Sequence, residues 1–270
     1  MRSIDRAWVN KKINELKIHP SRENGQNFLV SSEPLEKIIA AGDVREGDRV
    51  LEIGPGLGAL TESLLHAGAH VTAIEFDPKL VQYLEKNIPK KFPHEILHGD
   101  ALAIARPEFL KVMQPYKLIA NIPYHLTSEI VRHFVESAHS PTTICLLIQK
   151  EVAERLIAKP PRTNQLALFT QWFASVEYIA TVSRQNFIPA PEVDSAIVRL
   201  IPGAGAAARH NVTPAEQKNL FSLIKRGFSS PRKQLRNNLS PINTTTNFDF
   251  TRRAETLTHE EWINLLRALS

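Results

Sequence analysis

A short apolar strand that runs straight into a glycine loop and then a helix is the feature that most limits how this 270-residue chain can fold. Arg49-Val50-Leu51-Glu52-Ile53 has the character of a buried strand, Gly54-Pro55-Gly56-Leu57-Gly58 follows it, and residues 59–67 carry a helical pattern. Strand, glycine loop and helix start together make a nucleotide-type site, because glycines let the backbone approach a ligand closely and a helix start presents free N–H groups. The spacing is not that of the dinucleotide fingerprint G-x-G-x-x-G: the third glycine comes one residue early, and an acid, Glu52, precedes the first. The loop by itself reads equally as a tight turn.

Three further strands give the loop its context. His70-Val71-Thr72-Ala73-Ile74 ends at Glu75, about 20 residues on, the interval at which an acid meets ribose hydroxyls in doubly wound folds. His94-Glu95-Ile96-Leu97-His98-Gly99 delivers Asp100, whose carboxylate suits an adenine amino group. Tyr116-Lys117-Leu118-Ile119-Ala120 delivers Asn121. Gly54, Glu75, Asp100 and Asn121 are thereby expected along one edge of a sheet, where open α/β folds bind ligands. Each acid alone reads as a helix cap or a solvated loop residue; four matching positions do not.

Asn121-Ile122-Pro123-Tyr124 suits the gripping of an exocyclic amino group. An amide oxygen and nearby carbonyls accept both protons of an NH2, while a tyrosine ring stacks on the heterocycle. Alone, the run is also an ordinary strand-ending turn.

The chain resembles the adenine-N6 rRNA dimethyltransferases that use S-adenosylmethionine, most closely those of the small ribosomal subunit. The resemblance is carried by Gly25-Gln26-Asn27-Phe28-Leu29, the Leu51 to Gly58 loop, Ile74-Glu75, Gly99-Asp100-Ala101 and Asn121-Ile122-Pro123-Tyr124. Downstream it continues in Gln149-Lys150-Glu151-Val152-Ala153-Glu154-Arg155, in Asn186-Phe187-Ile188-Pro189-Ala190-Pro191-Glu192-Val193-Asp194-Ser195-Ala196, and in Arg232-Lys233-Gln234-Leu235-Arg236-Asn237-Asn238-Leu239. It implies an α/β fold of the class I S-adenosylmethionine-dependent methyltransferase type, Rossmann-like with a seven-stranded sheet, and a small C-terminal all-helical domain. It also implies that Asn27, Leu29 and Gly54 contact the cofactor, Glu75 its ribose and Asp100 its adenine. Asn121 would then lie between cofactor and target base, Pro123 would fix the backbone beside it without offering a donor, Tyr124 would stack on that base, and Phe187 would close the other side. Read by residue type alone, Phe187 is more readily a core aromatic before a proline-stiffened loop. The expected reaction is dimethylation of two adjacent adenines in a hairpin loop near the 3′ end of 16S rRNA, on free RNA or a pre-30S particle.

The sequence departs from the family pattern in three places. Ser21-Arg22-Glu23-Asn24 is mixed in charge where several basic residues are usual, His125 stands where asparagine is usual, and Pro160-Pro161-Arg162-Thr163-Asn164-Gln165 replaces a Gly/Ser-rich loop. None removes a residue the chemistry needs, and all bear on substrate docking.

Net charge is +5, which favours nucleic acid over an acidic protein partner, and its distribution is more telling. Lys225, Arg226, Arg232, Lys233 and Arg236 fall between Ser222 and Leu239 with no acid among them, a cluster suited to RNA phosphates or to a solvated helix face. Cys145, the only cysteine, lies in an apolar run and reads as a buried strand thiol. The histidines show no paired metal spacing, so no metal is expected. No apolar run approaches the roughly 18 residues of a membrane helix, and the amino terminus has no signal-like segment. A cytoplasmic protein without membrane contact is expected, and nothing demands more than a monomer.

Organisation follows from these signals. With the resemblance, residues 1–30 are expected to form an N-terminal segment touching cofactor and RNA, 31–202 the Rossmann-like domain, and 203–270 a linker and a helical RNA-binding domain. The runs at 176–183 and 196–201 look like the hairpin that closes the sheet. Pro202-Gly203-Ala204-Gly205-Ala206-Ala207-Ala208 is read as the linker. Thr213-Pro214-Ala215-Glu216 and Thr258-His259-Glu260-Glu261 are capping-box signatures, and the first two C-terminal helices are expected to carry the basic cluster. Alternative readings are a large-subunit 23S rRNA dimethyltransferase of the macrolide-resistance type, a ribosome-assembly or transcription factor on the same fold, and, more remotely, a nicotinamide dehydrogenase.

Overall fold

The computed structural model describes residues 4–20, 26–240 and 247–269. They divide into two units, Met1–Ala153 with Glu177–Pro202, and Glu154–Val176 with Gly203–Ser270. Chain order begins with α1 (Arg6–Glu15), β1 (Phe28–Leu29), α2 (Ser32–Ala41), β2 (Arg49–Ile53), α3 (Ala59–His66), β3 (His70–Glu75), α4 (Pro78–Asn87) and β4 (His94–His98). It continues with α5 (Ala101–Ile104), α6 (Pro107–Met113), β5 (Lys117–Asn121), α7 (Thr127–Glu136), β6 (Thr143–Gln149), α8 (Lys150–Ile157), α9 (Gln165–Phe173) and β7 (Ala174–Val182). It ends with β8 (Phe187–Ile188), β9 (Ser195–Pro202), α10 (Pro214–Gly227), α11 (Leu235–Asn238) and α12 (His259–Leu269).

Seven strands form one sheet in the order β4-β3-β2-β5-β6-β9-β7, the first five parallel and β9 antiparallel to β6. The near-continuous apolar strands follow from helices on both faces: Val50 to Ile53, Leu118 to Ala120 and Ile144 to Ile148 are all buried. Cys145 is among them, and burial pushes its thiol up to about 12, which makes it a packing residue. The chain steps outward from β2 to β3 and β4, then returns to the centre to lay β5 on the other side of β2. That reversal opens a crevice at the carboxyl ends of β2 and β5, where Gly54 and Asn121 stand.

A second, two-stranded sheet pairs β1 with β8, with Phe28 opposite Ile188 and Leu29 opposite Phe187. Val30 N–H extends the pairing to the Asn186 carbonyl at 2.9 Å. The N-terminal segment is thereby tied to the loop before β9, over 150 residues away in sequence.

Two sequence expectations need correction in the second unit. Residues 202–208 are not a loose linker: Ala206 is 1% exposed in a 3-10 turn spanning Ala206–Arg209, and a Cβ on Gly205 would lie 2.4 Å from the Trp172 carbonyl oxygen. The boundary also shifts, because residues 154–176 join the C-terminal unit rather than the sheet domain. Leu168 and Trp172 of α9 enter a core with Leu220, Ile224, Leu235, Leu257 and Trp262, and Trp172 Nε1 donates to Gln217 Oε1 at 2.9 Å. An apolar helix stripe states that a helix is buried without stating against what, so the sequence did not assign α9 to this core. Both capping boxes form, at Thr213/Glu216 and at Thr258/Glu261.

Gly205→Ala is expected to cost about 1–3 kcal/mol, because the added methyl meets backbone that has no rotamer to yield. Thermal unfolding followed by far-UV circular dichroism checks this; a variant as stable as the wild type would show that the segment is as loose as a linker.

Candidate functional site

The crevice is the mouth of a cavity of about 710 Å³ in the first unit, within the usual range for small-molecule sites. Its walls bring together seven residues singled out in the sequence: Asn27, Leu29, Gly54, Glu75, Asp100, Asn121 and Pro123.

Glu75 organises one side. It is 6% exposed, and its carboxylate accepts from three backbone N–H groups: Gly56 to Oε2 at 3.0 Å, Phe76 to Oε1 at 2.9 Å and Asp77 to Oε1 at 3.0 Å. Each such charge-assisted bond contributes about 1.5–3 kcal/mol, yet burial outweighs them, and the carboxyl's pKa lies above its ordinary value. The same bonds hold the glycine loop against the end of β3. Gly56 has φ of +59°, and a Cβ there would press on the Phe28 ring at 3.1 Å, so the loop can lie on β1 only as glycine.

Asp100 is exposed and caps α5, its Oδ1 accepting from Leu102 N at 2.8 Å and Ala103 N at 3.4 Å. Oδ2 takes no part in the cap. The residue is therefore both of the things the sequence allowed, a helix cap and a cavity carboxylate.

Asn121 closes β5, and its Nδ2 donates to the Asn27 carbonyl at 3.3 Å. That bond fixes the flip of the amide and leaves Oδ1 to accept a hydrogen bond. Pro123 follows with no N–H of its own.

Two residues expected at the site do not line the cavity. Tyr124 is half-buried with its hydroxyl 2.6 Å from Ser195 Oγ, a group itself fully buried, so the ring is braced from β9. Burial also raises the phenol's pKa above its usual value. Phe187, expected to close the pocket, is instead a core residue: it is 0% exposed, opposite Leu29 in the small sheet, within the main hydrophobic cluster. The physical reason is the β1–β8 pairing, which turns this aromatic inward.

The chain matches, over residues 19–269, the model of the family described as ribosomal RNA adenine dimethylase. The chain belongs to that family. It is 37% identical to a protein of Dehalococcoides mccartyi named ribosomal RNA small subunit methyltransferase A, over 89% of this chain and 85% of that one. A protein of the same name from Levilactobacillus brevis is 40% identical, covering 85% and 78%. Among solved structures, a dimethyladenosine transferase from Plasmodium falciparum superposes with a TM-score of 0.72 at 26% identity, covering 88% and 95%. The 23S rRNA methyltransferase ErmE does so at 0.68 and 26%, covering 90% and 99%. The fold is that of the class I methyltransferases, as the resemblance implied.

Three cavity residues of this family member carry no role from the sequence reading. Phe76 is 72% exposed, an unusual setting for a large aromatic on the lip of a cavity, and it offers a flat face beside Glu75. Trp8, on α1, is a second aromatic wall. Glu52, noted in the sequence only as breaking the dinucleotide pattern, is 1% exposed, and its Oε2 has no partner among the described residues. Burial, aided by the Glu75 carboxylate and opposed by Thr61, pushes its pKa up to about 8. A buried acid inside an apolar run was the signal available for Glu52; for Phe76 and Trp8 there was none.

The five basic residues lie in the second unit and all are exposed. Lys225 and Arg226 close α10, Arg236 is on α11, and Arg232 and Lys233 occupy the turn between, not a helix as the sequence suggested. Arg226 also donates to the Leu239 carbonyl at 3.0 Å, and Lys225 Nζ stands 6.0 Å from the Phe169 ring centroid. Among the described residues no helix is long and apolar enough to cross a membrane, and no His/Cys/Asp/Glu group could hold a metal. Of the segments that depart from the family pattern, residues 21–24 lie outside the described residues, as does Gly25.

Glu52 sets a pH dependence. With a folded pKa above the unfolded one, its stabilising contribution is complete below about pH 4.5 and is lost as pH rises toward 8. Glu52→Gln is expected to flatten the decline in unfolding free energy between pH 5 and 8, read by urea titration at a series of pH values. Parallel wild-type and variant curves would remove this assignment.

Proposed function

We propose that this enzyme uses S-adenosylmethionine to dimethylate N6 of two adjacent adenines in a hairpin loop near the 3′ end of 16S rRNA, during small-subunit biogenesis. Relatives named for the small subunit are 32–40% identical, against 26% for the 23S enzyme, and this favours the small-subunit substrate over the large. The intact cavity favours an active enzyme over an assembly factor alone.

The residues fit the donor. Glu75 and Asp100 suit hydroxyls and an amino group, Phe76 and Leu102 suit a flat base, and the unpartnered Oε2 of Glu52 suits a polar or cationic end. Bound there, S-adenosylmethionine supplies a methyl group already activated on a sulfonium.

One observation carries the catalytic reading: the bond from Asn121 Nδ2 to Asn27 that leaves Oδ1 as acceptor. Oδ1 and the Ile122 carbonyl accept hydrogen bonds from the two N–H groups of the target adenine, which draws electron density toward the nitrogen and offsets the positive charge that develops there, and the surplus proton leaves to water. Pro123 stiffens this turn and brings no donor to compete for the nitrogen. Tyr124, braced by Ser195, presents its ring to the base. A second methylation requires tolerance of an amine with one proton fewer, which two independent acceptors allow. A stacked base cannot reach such a site, so the target is unpaired or flipped out. Phosphates of the RNA meet Lys225, Arg232, Lys233 and Arg236, with Arg226 partly committed to α11.

Unmethylated small subunits incubated with tritiated S-adenosylmethionine are expected to carry label on N6-dimethyladenine in 16S rRNA; label confined to large-subunit RNA would overturn the proposal. Asn121→Ala is expected to lower kcat by at least about a hundredfold while donor affinity stays within about tenfold. Replacing Lys233 and Arg236 by Gln is expected to weaken RNA binding and flatten its dependence on salt, read by filter binding at several salt concentrations.

A further inference from the structure

The helix α1 precedes the stretch that matches the family model, which begins at residue 19. It nonetheless supplies a wall of the cavity, through Trp8. Asp5 caps it, its carboxylate accepting from Trp8 N at 2.8 Å, and its apolar stripe seats it on the first unit. Val9 is fully buried, Ile18 is 5% exposed, and Ile4, Trp8, Ile13 and Leu16 pack against the same core, Trp8 with part of its surface left uncovered.

Polar ties hold it on two sides. Toward α4, Lys79 Nζ donates to the Lys17 carbonyl at 2.9 Å and Lys12 Nζ stands 5.8 Å from the Tyr83 ring centroid. Toward the 3-10 turn before β8, Arg6 Nη2 donates to the Gln185 carbonyl. Trp8 lies between these ties, one helical turn before Lys12 and about half a turn after Arg6. α4 begins at Pro78, and Asp77, Pro78 and Leu80 are themselves cavity residues, so the helix runs along the flank where Glu75 and the glycine loop meet.

Trp8 is only partly covered. The two other tryptophans are core residues, Trp172 at 1% and Trp262 at 0% exposure. A rigidly seated helix that leaves a flat aromatic surface on the wall of a cavity is built to cover what enters that cavity.

We propose that Trp8 is a donor-binding residue of this enzyme: its indole packs on the nucleoside donor from the α4 side, and α1 is the strap that holds it there. This rests on the cavity being the S-adenosylmethionine site. The role is binding, not chemistry, since Asn121 and Pro123 enter from β5. Half of a tryptophan face is worth about a tenfold change in affinity, within the range of a single aromatic contact.

The test is calorimetric titration of S-adenosylhomocysteine into the full-length wild type, Trp8→Leu and Trp8→Phe. The wild type is expected to bind; Trp8→Leu, which keeps apolar bulk over Val9, is expected to bind about tenfold more weakly, and Trp8→Phe within about threefold. The KM for S-adenosylmethionine should rise in Trp8→Leu while that for rRNA does not. Ligand should also change tryptophan emission in the wild type, with that change lost in Trp8→Phe. If Trp8→Leu is unfolded, the emission change in wild type against Trp8→Phe decides alone. Equal affinity of wild type and Trp8→Leu, or an emission change that persists in Trp8→Phe, overturns the role of Trp8 and leaves the donor site standing. A wild type that does not bind S-adenosylhomocysteine overturns the donor site and this proposal together.

Discussion

The reversal of winding between β2 and β5 is the constraint on which the rest depends. In a parallel sheet every strand needs a covered crossover, and where successive crossovers diverge to opposite sides nothing fills the space above the strand ends. Here that space is framed by Gly54 and Asn121. The residue that follows β2 there is Gly54, which adds no side chain to the space. The cavity is therefore set by topology before any ligand is considered. A Cβ on Gly54 would come to 3.9 Å from both the Asn121 carbonyl and Pro123, which is how near the donor loop and the Asn-Ile-Pro-Tyr turn lie.

Buried acids give the crevice its chemistry and its cost. Two carboxyl groups, those of Glu52 and Glu75, sit beneath it at 1% and 6% exposure. Glu75 offsets its desolvation with three backbone N–H bonds, which also fasten the glycine loop. Glu52 has no comparable set, and its proton is held to about pH 8. An unpartnered buried acid costs stability, and such a cost persists where a bound group repays it.

Several residues that mark the family in sequence act here as props. Asp194 Oδ1 accepts from Arg184 N at 2.9 Å and its carbonyl from Lys150 N at 3.0 Å, Ser195 holds Tyr124, and Phe187 fills the core beneath β1. The loop before β9 is thus a bracket joining the N-terminal segment, the start of α8 and the Tyr124 ring. A motif records where substitution is costly, and bracing a catalytic turn is as costly to lose as touching the substrate.

The sequence by itself determined the strands and what stands at their ends. β2, β3, β4 and β5 fall within a residue of where the apolar runs placed them, and Gly54, Glu75, Asp100 and Asn121 follow because a parallel strand's carboxyl end is fixed by its own length. Capping boxes were legible for the same reason, since all their partners lie within four residues. Tertiary structure alone decided matters that depend on pairing across long separations. The β1–β8 pairing turned Phe187 inward, the C-terminal core claimed α9 and the alanine-rich segment, and α1 put Trp8 on the cavity wall. Local patterns state that a side chain is apolar; which surface it meets depends on chain elsewhere, and no periodicity within one element encodes that.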